Sequence, residues 1–81
     1  MRARVFVTLK TTVLDPQGQT IRAALQGLGY PEIEDVRQGK YFEIAIGNEV
    51  AAEKARKDIE TIAQDVLTNP VIEDYRIEVL D

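Results

Sequence analysis

The stretch "ARVFVTLK", residues 3–10, decides the fold. Ala3, Val5, Val7 and Leu9 fall on one side of an extended chain, and Arg4, Phe6, Thr8 and Lys10 on the other. Successive side chains of a strand point to opposite faces, so this is a strand with one buried side. One-sided alternation belongs to an antiparallel sheet; a strand buried on both faces reads as a continuous apolar run. The pattern returns near the C-terminus, where Tyr75, Ile77 and Val79 alternate with Asp74, Arg76 and Glu78. Between them, Phe42, Ile44 and Ile46 oppose Tyr41, Glu43 and Ala45 within the extended segment 32–46. Gly39 either turns a short hairpin, pairing 34–38 with 41–46, or bends one long strand, and the hairpin is the preferred reading.

Two helices fill the remaining sequence. Ile21, Ala24, Leu25 and Leu28 recur at i, i+3, i+4 and i+7, which lines one side of a helix. Ala52, Ala55, Ile59, Ile62, Ala63 and Val66 continue the same period over roughly 49–67, with Asn48 as the expected N-cap. Glu49 and Glu53 suit the positive end of that helix, and Glu53 and Lys57 stand four apart in the favourable order. The expected fold is α+β in the order β-α-β(β)-α-β: an antiparallel sheet of three to four strands with both helices on one face, in a single domain spanning 1–81. The far face carries polar groups with Phe6 and Tyr41, either as scattered surface residues or as the centre of a self-association face.

Composition excludes more than it allows. The 81 residues contain no His, Cys, Ser or Trp. Serine triads, Cys–His pairs, imidazole bases and thiolate or imidazole zinc sites are therefore impossible, and a self-contained active site is not expected. A net charge of −4 speaks against nucleic acid, whose backbone demands a basic face. No apolar run reaches the length of a membrane span, so a cytoplasmic protein is expected.

Individual motifs read first as local structure. In Asp15-Pro16-Gln17-Gly18 the aspartate caps a helix and the proline opens it. Gly18 costs helical stability there, so either something approaches its backbone closely or the helix starts after it. Gly27-Leu28-Gly29 ends a helix instead of opening one, which excludes a dinucleotide fingerprint. Glu34-Asp35 and Glu73-Asp74 are adjacent strand pairs whose side chains diverge, so they do not converge on a cation. Asn69-Pro70 ends the second helix and feeds the last strand.

Taken together and in this order, "VLDPQG" (13–18), "DVRQGKYFEI" (35–44) and "NPVIEDY" (69–75) resemble the PurS family, over essentially the whole chain. PurS is the small subunit of bacterial and archaeal phosphoribosylformylglycinamidine synthase. The resemblance implies a subunit without chemistry of its own in de novo purine biosynthesis, where formylglycinamide ribonucleotide is converted to formylglycinamidine ribonucleotide. A glutaminase subunit (PurQ) releases ammonia from glutamine, and a synthetase subunit (PurL) consumes ATP with magnesium; no cofactor is expected on the small subunit itself. It also implies a homodimer, with further pairing to a homotetramer, that brings the two catalytic subunits together. The residues expected to make subunit contacts are Asp15, Pro16, Gln17 and Gly18 with Lys10 nearby. A second set is Arg37, Gly39, Lys40 and Tyr41. A third is the run Asn69, Pro70, Val71, Ile72, Glu73, Asp74 and Tyr75, and Phe6 marks the open sheet face.

Two other classes compete. An ACT-like small-molecule-sensing domain also uses an antiparallel sheet with helices on one face and dimerises. An RNA-binding sheet would need exposed aromatics on a basic face, which the charge disfavours.

Overall fold

Strand β1 is Arg2–Leu9, and it lies at the centre of the sheet. Strand β2, Gly39–Ala45, and strand β3, Glu73–Leu80, pair with it antiparallel on either side, giving the order β2-β1-β3. Helix α1 covers Pro16–Gly27, and helix α2 covers Ala52–Ile62 before passing into a π-helical turn, Ala63–Leu67. The structure is a computed structural model that describes residues 1–80.

The alternation of β1 sets the register. Val5 stands opposite Phe42 and Ile77, and Ala3 opposite Ile44 and Val79, so the apolar members of all three strands share one face. Helix α2 and the π-helical turn that continues it lie on that face and contribute Ile59 and Ala63, both fully buried, against Ala3, Val5 and Val7. Burial of each of the larger side chains is worth roughly 1.5–3 kcal/mol, so this small cluster is the main source of stability. On the open face, the rings of cross-strand neighbours Phe6 and Tyr41 meet at a tilt of 40° with centroids 5.2 Å apart, and the Arg76 guanidinium lies 4.4 Å above the Phe6 ring.

Three details depart from the sequence-based expectations. Residues 33–38 form no strand, so there is no hairpin; Gly39 is the first residue of β2 and faces Thr8. The second helix begins at Ala52 after Ala51, without a side-chain cap. Asn48 instead lies 3.5 Å from the Met1 ammonium, which also donates to the Ile46 carbonyl. A backbone tie between strand ends has taken the side chain that periodicity assigned to the helix.

The α+β class and the antiparallel sheet are as expected, but α1 stands away from the sheet. It gives no residue to the core, and its only buried residue is Gly18. The molecule therefore measures 52 × 25 × 13 Å, with a radius of gyration of 16.4 Å, where a compact domain of this length would have about 12 Å. The apolar stripe of α1 faces outward, with Ile21 at 41% and Leu28 at 74% exposure.

Candidate functional site

The base of α1 is a knot of backbone tied by few side chains. Residues 10–13 close a turn, Val13 N–H donating to the Lys10 carbonyl. Asp15 then adopts the extended backbone of an N-cap, and its Oδ1 accepts from the Gly18 N–H at 2.9 Å. Pro16 opens the helix, where its missing donor has no consequence. The second carboxylate oxygen of Asp15 accepts from the Gln38 N–H at 2.7 Å, which binds the return segment to the cap. Arg37 completes the tie by donating to the carbonyls of Lys10 and Val13 at 2.9 and 3.0 Å.

Gly18 explains itself in this setting. A Cβ on it would sit 2.2 Å from the Val36 carbonyl oxygen and 2.8 Å from Asp15 Oδ2. The close approach that its helical cost pointed to is real, and it comes from the chain's own return segment. At the other end, α1 stops on a left-handed Gly29 (φ 102°). Tyr30 N–H donates to the Leu25 carbonyl and Gly29 N–H to the Gln26 carbonyl, a Schellman closure. Gln26 and Arg22 then donate to the carbonyls of Ile33 and Glu34, so residues 28–38 run back along the helix. Helix and return strap form a projecting arm whose root is tied by the bonds of Asp15 and Arg37.

The three expected contact sets meet near this root. Lys10 N–H donates to the Ile72 carbonyl at 2.8 Å, and Lys40 Nζ lies 3.9 Å from Glu73 Oε2. Asp15, Gln17, Gly39, Lys40 and Glu73 share the wall of a cavity of about 220 Å³. Asn69 shapes the turn into β3: its Oδ1 accepts from Val71 N–H and its carbonyl from Ile72 and Glu73 N–H, while its own N–H donates to Glu73. Pro70 lies in this turn. Phe6 and Tyr41 lie apart, in tilted contact on the open sheet face. Asp74 belongs to that outer side as well, whereas Tyr75 points inward and donates to Glu60 at 2.7 Å, a bond that raises its phenol pKa. Sequence reading missed Val36, Gln38, Arg22 and Gln26. Val36 and Gln38 act through backbone atoms, which carry no signal in residue type.

The Asp15 carboxyl is held below the ordinary 3.8, first by the Gln38 N–H and then by the Gly18 N–H. A group whose folded pKa is depressed stabilises the fold above its unfolded value, and that contribution is lost as pH falls below 3.8 through the folded value. Asp15→Asn turns one acceptor into a donor facing an N–H, so it is expected to be less stable at pH 7. The gap to the wild-type chain should narrow as pH drops from 5 toward 2, measured by chemical denaturation at each pH. A gap that stays constant would show that Asp15 ionisation does not hold the root.

Comparison with known proteins agrees with this construction. Residues 2–81 match the family model described as PurS: phosphoribosylformylglycinamidine (FGAM) synthase. The phosphoribosylformylglycinamidine synthase subunit PurS of Bacillus subtilis (strain 168) is 43% identical over 82 residues, covering 96% of this chain and 90% of its own length. A crystal structure of B. subtilis PurS superposes with a TM-score of 0.82 at 40% identity, covering 99% of this chain and 98% of the other. A chain in the structure of PurLQS from Thermotoga maritima gives a TM-score of 0.74 at 26% identity, covering 98% and 95%. The ACT-like alternative is set aside by the family match, which takes in the helix-root motif, the strap and the last strand together: this chain belongs to the PurS family.

Proposed function

We propose that this chain is the non-catalytic assembly subunit of phosphoribosylformylglycinamidine synthase in de novo purine biosynthesis. It pairs with a second copy of itself and holds a glutaminase subunit (PurQ) and a synthetase subunit (PurL) in one complex, as the Thermotoga maritima PurLQS structure suggests for its relative. Glutamine, ATP and magnesium are handled by those partners, and this chain binds none of them. The work is cytoplasmic, and no helix among the described residues is long and apolar enough to cross a membrane.

The observation that carries the reading is the arm. A chain lacking His, Cys and Ser has little to offer as a catalyst, yet it holds a helix with an exposed apolar stripe away from its own core. The inner face of β2 is incompletely covered: Phe42, Ile44 and, just past the strand, Ile46 are only partly buried against the core cluster. The stripe of Ile21, Leu25 and Leu28 from a second copy matches that opening, and the exchange is reciprocal, which closes a two-fold dimer.

Reconstitution tests the function. Synthetase and glutaminase subunits mixed with this chain are expected to co-elute and to make the amidine product from glutamine. Omitting the chain should cut glutamine-dependent synthesis by about tenfold or more while leaving synthesis from free ammonia in place. Full glutamine-dependent turnover without the chain would overturn the assembly role.

A further inference from the structure

The outer edge of β3 is open and unguarded. Lys10 N–H donates to the Ile72 carbonyl at 2.8 Å, and the pairing of β3 with β1 then runs unbroken from Glu73 to Leu80. Antiparallel ladders alternate, so the even-numbered residues of β3 bond to β1 and the odd-numbered ones direct their backbone groups away from it. The N–H and C=O groups of Tyr75, Ile77 and Val79 therefore face the free side, where no backbone partner meets them among the described residues. Edge strands are ordinarily guarded by a proline, a lysine, a bulge or a covering segment. Glu73–Leu80 contains no proline or lysine, and its unbroken register leaves no bulge.

The core is unfinished along the same edge. Ala3, Val5 and Val7 of β1 are fully buried, whereas Tyr75, Ile77 and Val79, on the same face of the sheet, are only half-buried. On the open face the strand carries alternating charge, Asp74, Arg76 and Glu78. Arg76 and Glu78 form an ion pair at 3.3 Å whose side chains are both exposed, so both remain accessible from the edge.

We infer that β3 pairs edge to edge with β3 of a second copy, antiparallel about a two-fold axis at Ile77, so that two sheets join into one. In this register Ile77 faces Ile77, Tyr75 faces Val79, Arg76 faces Glu78 and Asp74 faces Leu80, and all of 74–80 is paired. The odd-numbered pairs exchange backbone hydrogen bonds and bring apolar side chains together on the core side. The even-numbered pairs, which lie closer together, set each Arg76 against the other copy's Glu78. Moving the axis undoes this match. About Arg76, the two guanidinium groups would meet and Asp74 would face Glu78; about Glu78, the two carboxylates would meet. About Tyr75, the pairing shortens and Glu73 faces Ile77. Charge and length therefore select one register. A ladder this short is weak alone, because association costs more than a few exposed backbone bonds return. Copies already linked through α1 present two β3 edges, and two ladders between two such pairs act together. The inference extends the self-pairing proposed above, but it is read on different residues, so the two fail separately.

The experiment compares the wild-type chain with Arg76→Glu, with Glu78→Arg and with an equal mixture of the two variants, by sedimentation over about 10–300 µM. The starting mass reports on α1, and a further doubling reports on β3. Arg76→Glu alone sets glutamate against glutamate across the axis, and Glu78→Arg alone sets arginine against arginine. In the mixture each variant meets its complement. Doubling is expected for the wild type and for the mixture, and should need about tenfold or more higher concentration for either variant alone. The rescue also separates lost pairing from any loosening of Arg76 over Phe6. In the doubled species, amide exchange at Tyr75, Ile77 and Val79 should be as slow as at Arg76 and Glu78, and in either variant alone the fast-slow alternation of a bare edge should return. A wild-type chain that never doubles, single variants that associate like it, a mixture no better than its parts, or fast exchange at the odd-numbered amides of the doubled species would each overturn the ladder.

Discussion

Gly18→Val should cost the protein on the order of 3 kcal/mol, lowering its melting temperature by roughly 10–20 °C. The first added carbon would lie 2.2 Å from the Val36 carbonyl oxygen, a backbone atom that cannot swing aside. Relief requires the return strap to move by about an ångström. That shift stretches the bond from Gln38 N–H to Asp15 and the two bonds from Arg37, all now near 3 Å. Gly27→Ala in the same helix is the matched comparison, because nothing lies within 4 Å of its added carbon. There the gain in helix propensity should stabilise by up to about 1 kcal/mol. Thermal melts of the two variants should therefore move in opposite directions. Equal, small shifts would mean that the strap does not bear on the root of α1.

Ile21→Asp combined with Leu28→Asp should give a folded monomer. Both side chains are exposed within the single chain, so the substitutions remove nothing from its own core. In the reciprocal dimer they would take four apolar side chains out of contact, each worth roughly 1.5–3 kcal/mol. The dimer should weaken by at least about four orders of magnitude, a complete loss at micromolar concentration. Light scattering reads the mass directly, and circular dichroism checks that the sheet is intact. An unchanged mass would place self-association elsewhere, with Phe6, Tyr41 and Arg76 on the open face as the next surface to alter.

How much of this could be read from the sequence follows from the kind of atom involved. Alternation in 3–10 and 74–79 gave two strands and their buried sides correctly, because burial acts on side-chain type and strands have a fixed period. The i, i+3, i+4 stripe of α1 gave a helix but a misleading destination. Periodicity reports that a face avoids water, and it does not say whether the cover comes from the same chain. The hairpin at Gly39 failed since residues 34–38 are held by Arg37, by the Asp15 carboxylate and by donations from α1, bonds that compete with strand pairing. Asn48 was drawn off by the Met1 ammonium. Asp15, Pro16 and Gly18 were legible as a cap, whereas the reason for the glycine lay in the carbonyl of a residue eighteen positions away.

The sheet order has a kinetic cost. The central strand is the first in the chain, yet Thr8 has no neighbour until Gly39 arrives, and Leu9 waits for Glu73 on its other side. No two consecutive strands are joined by a tight turn, so each ladder begins only after a long segment has been gathered in, at an entropic expense no local bond refunds. Such a polypeptide should renature slowly for its size, leaving both borders of the nascent first strand open to strangers in the meantime.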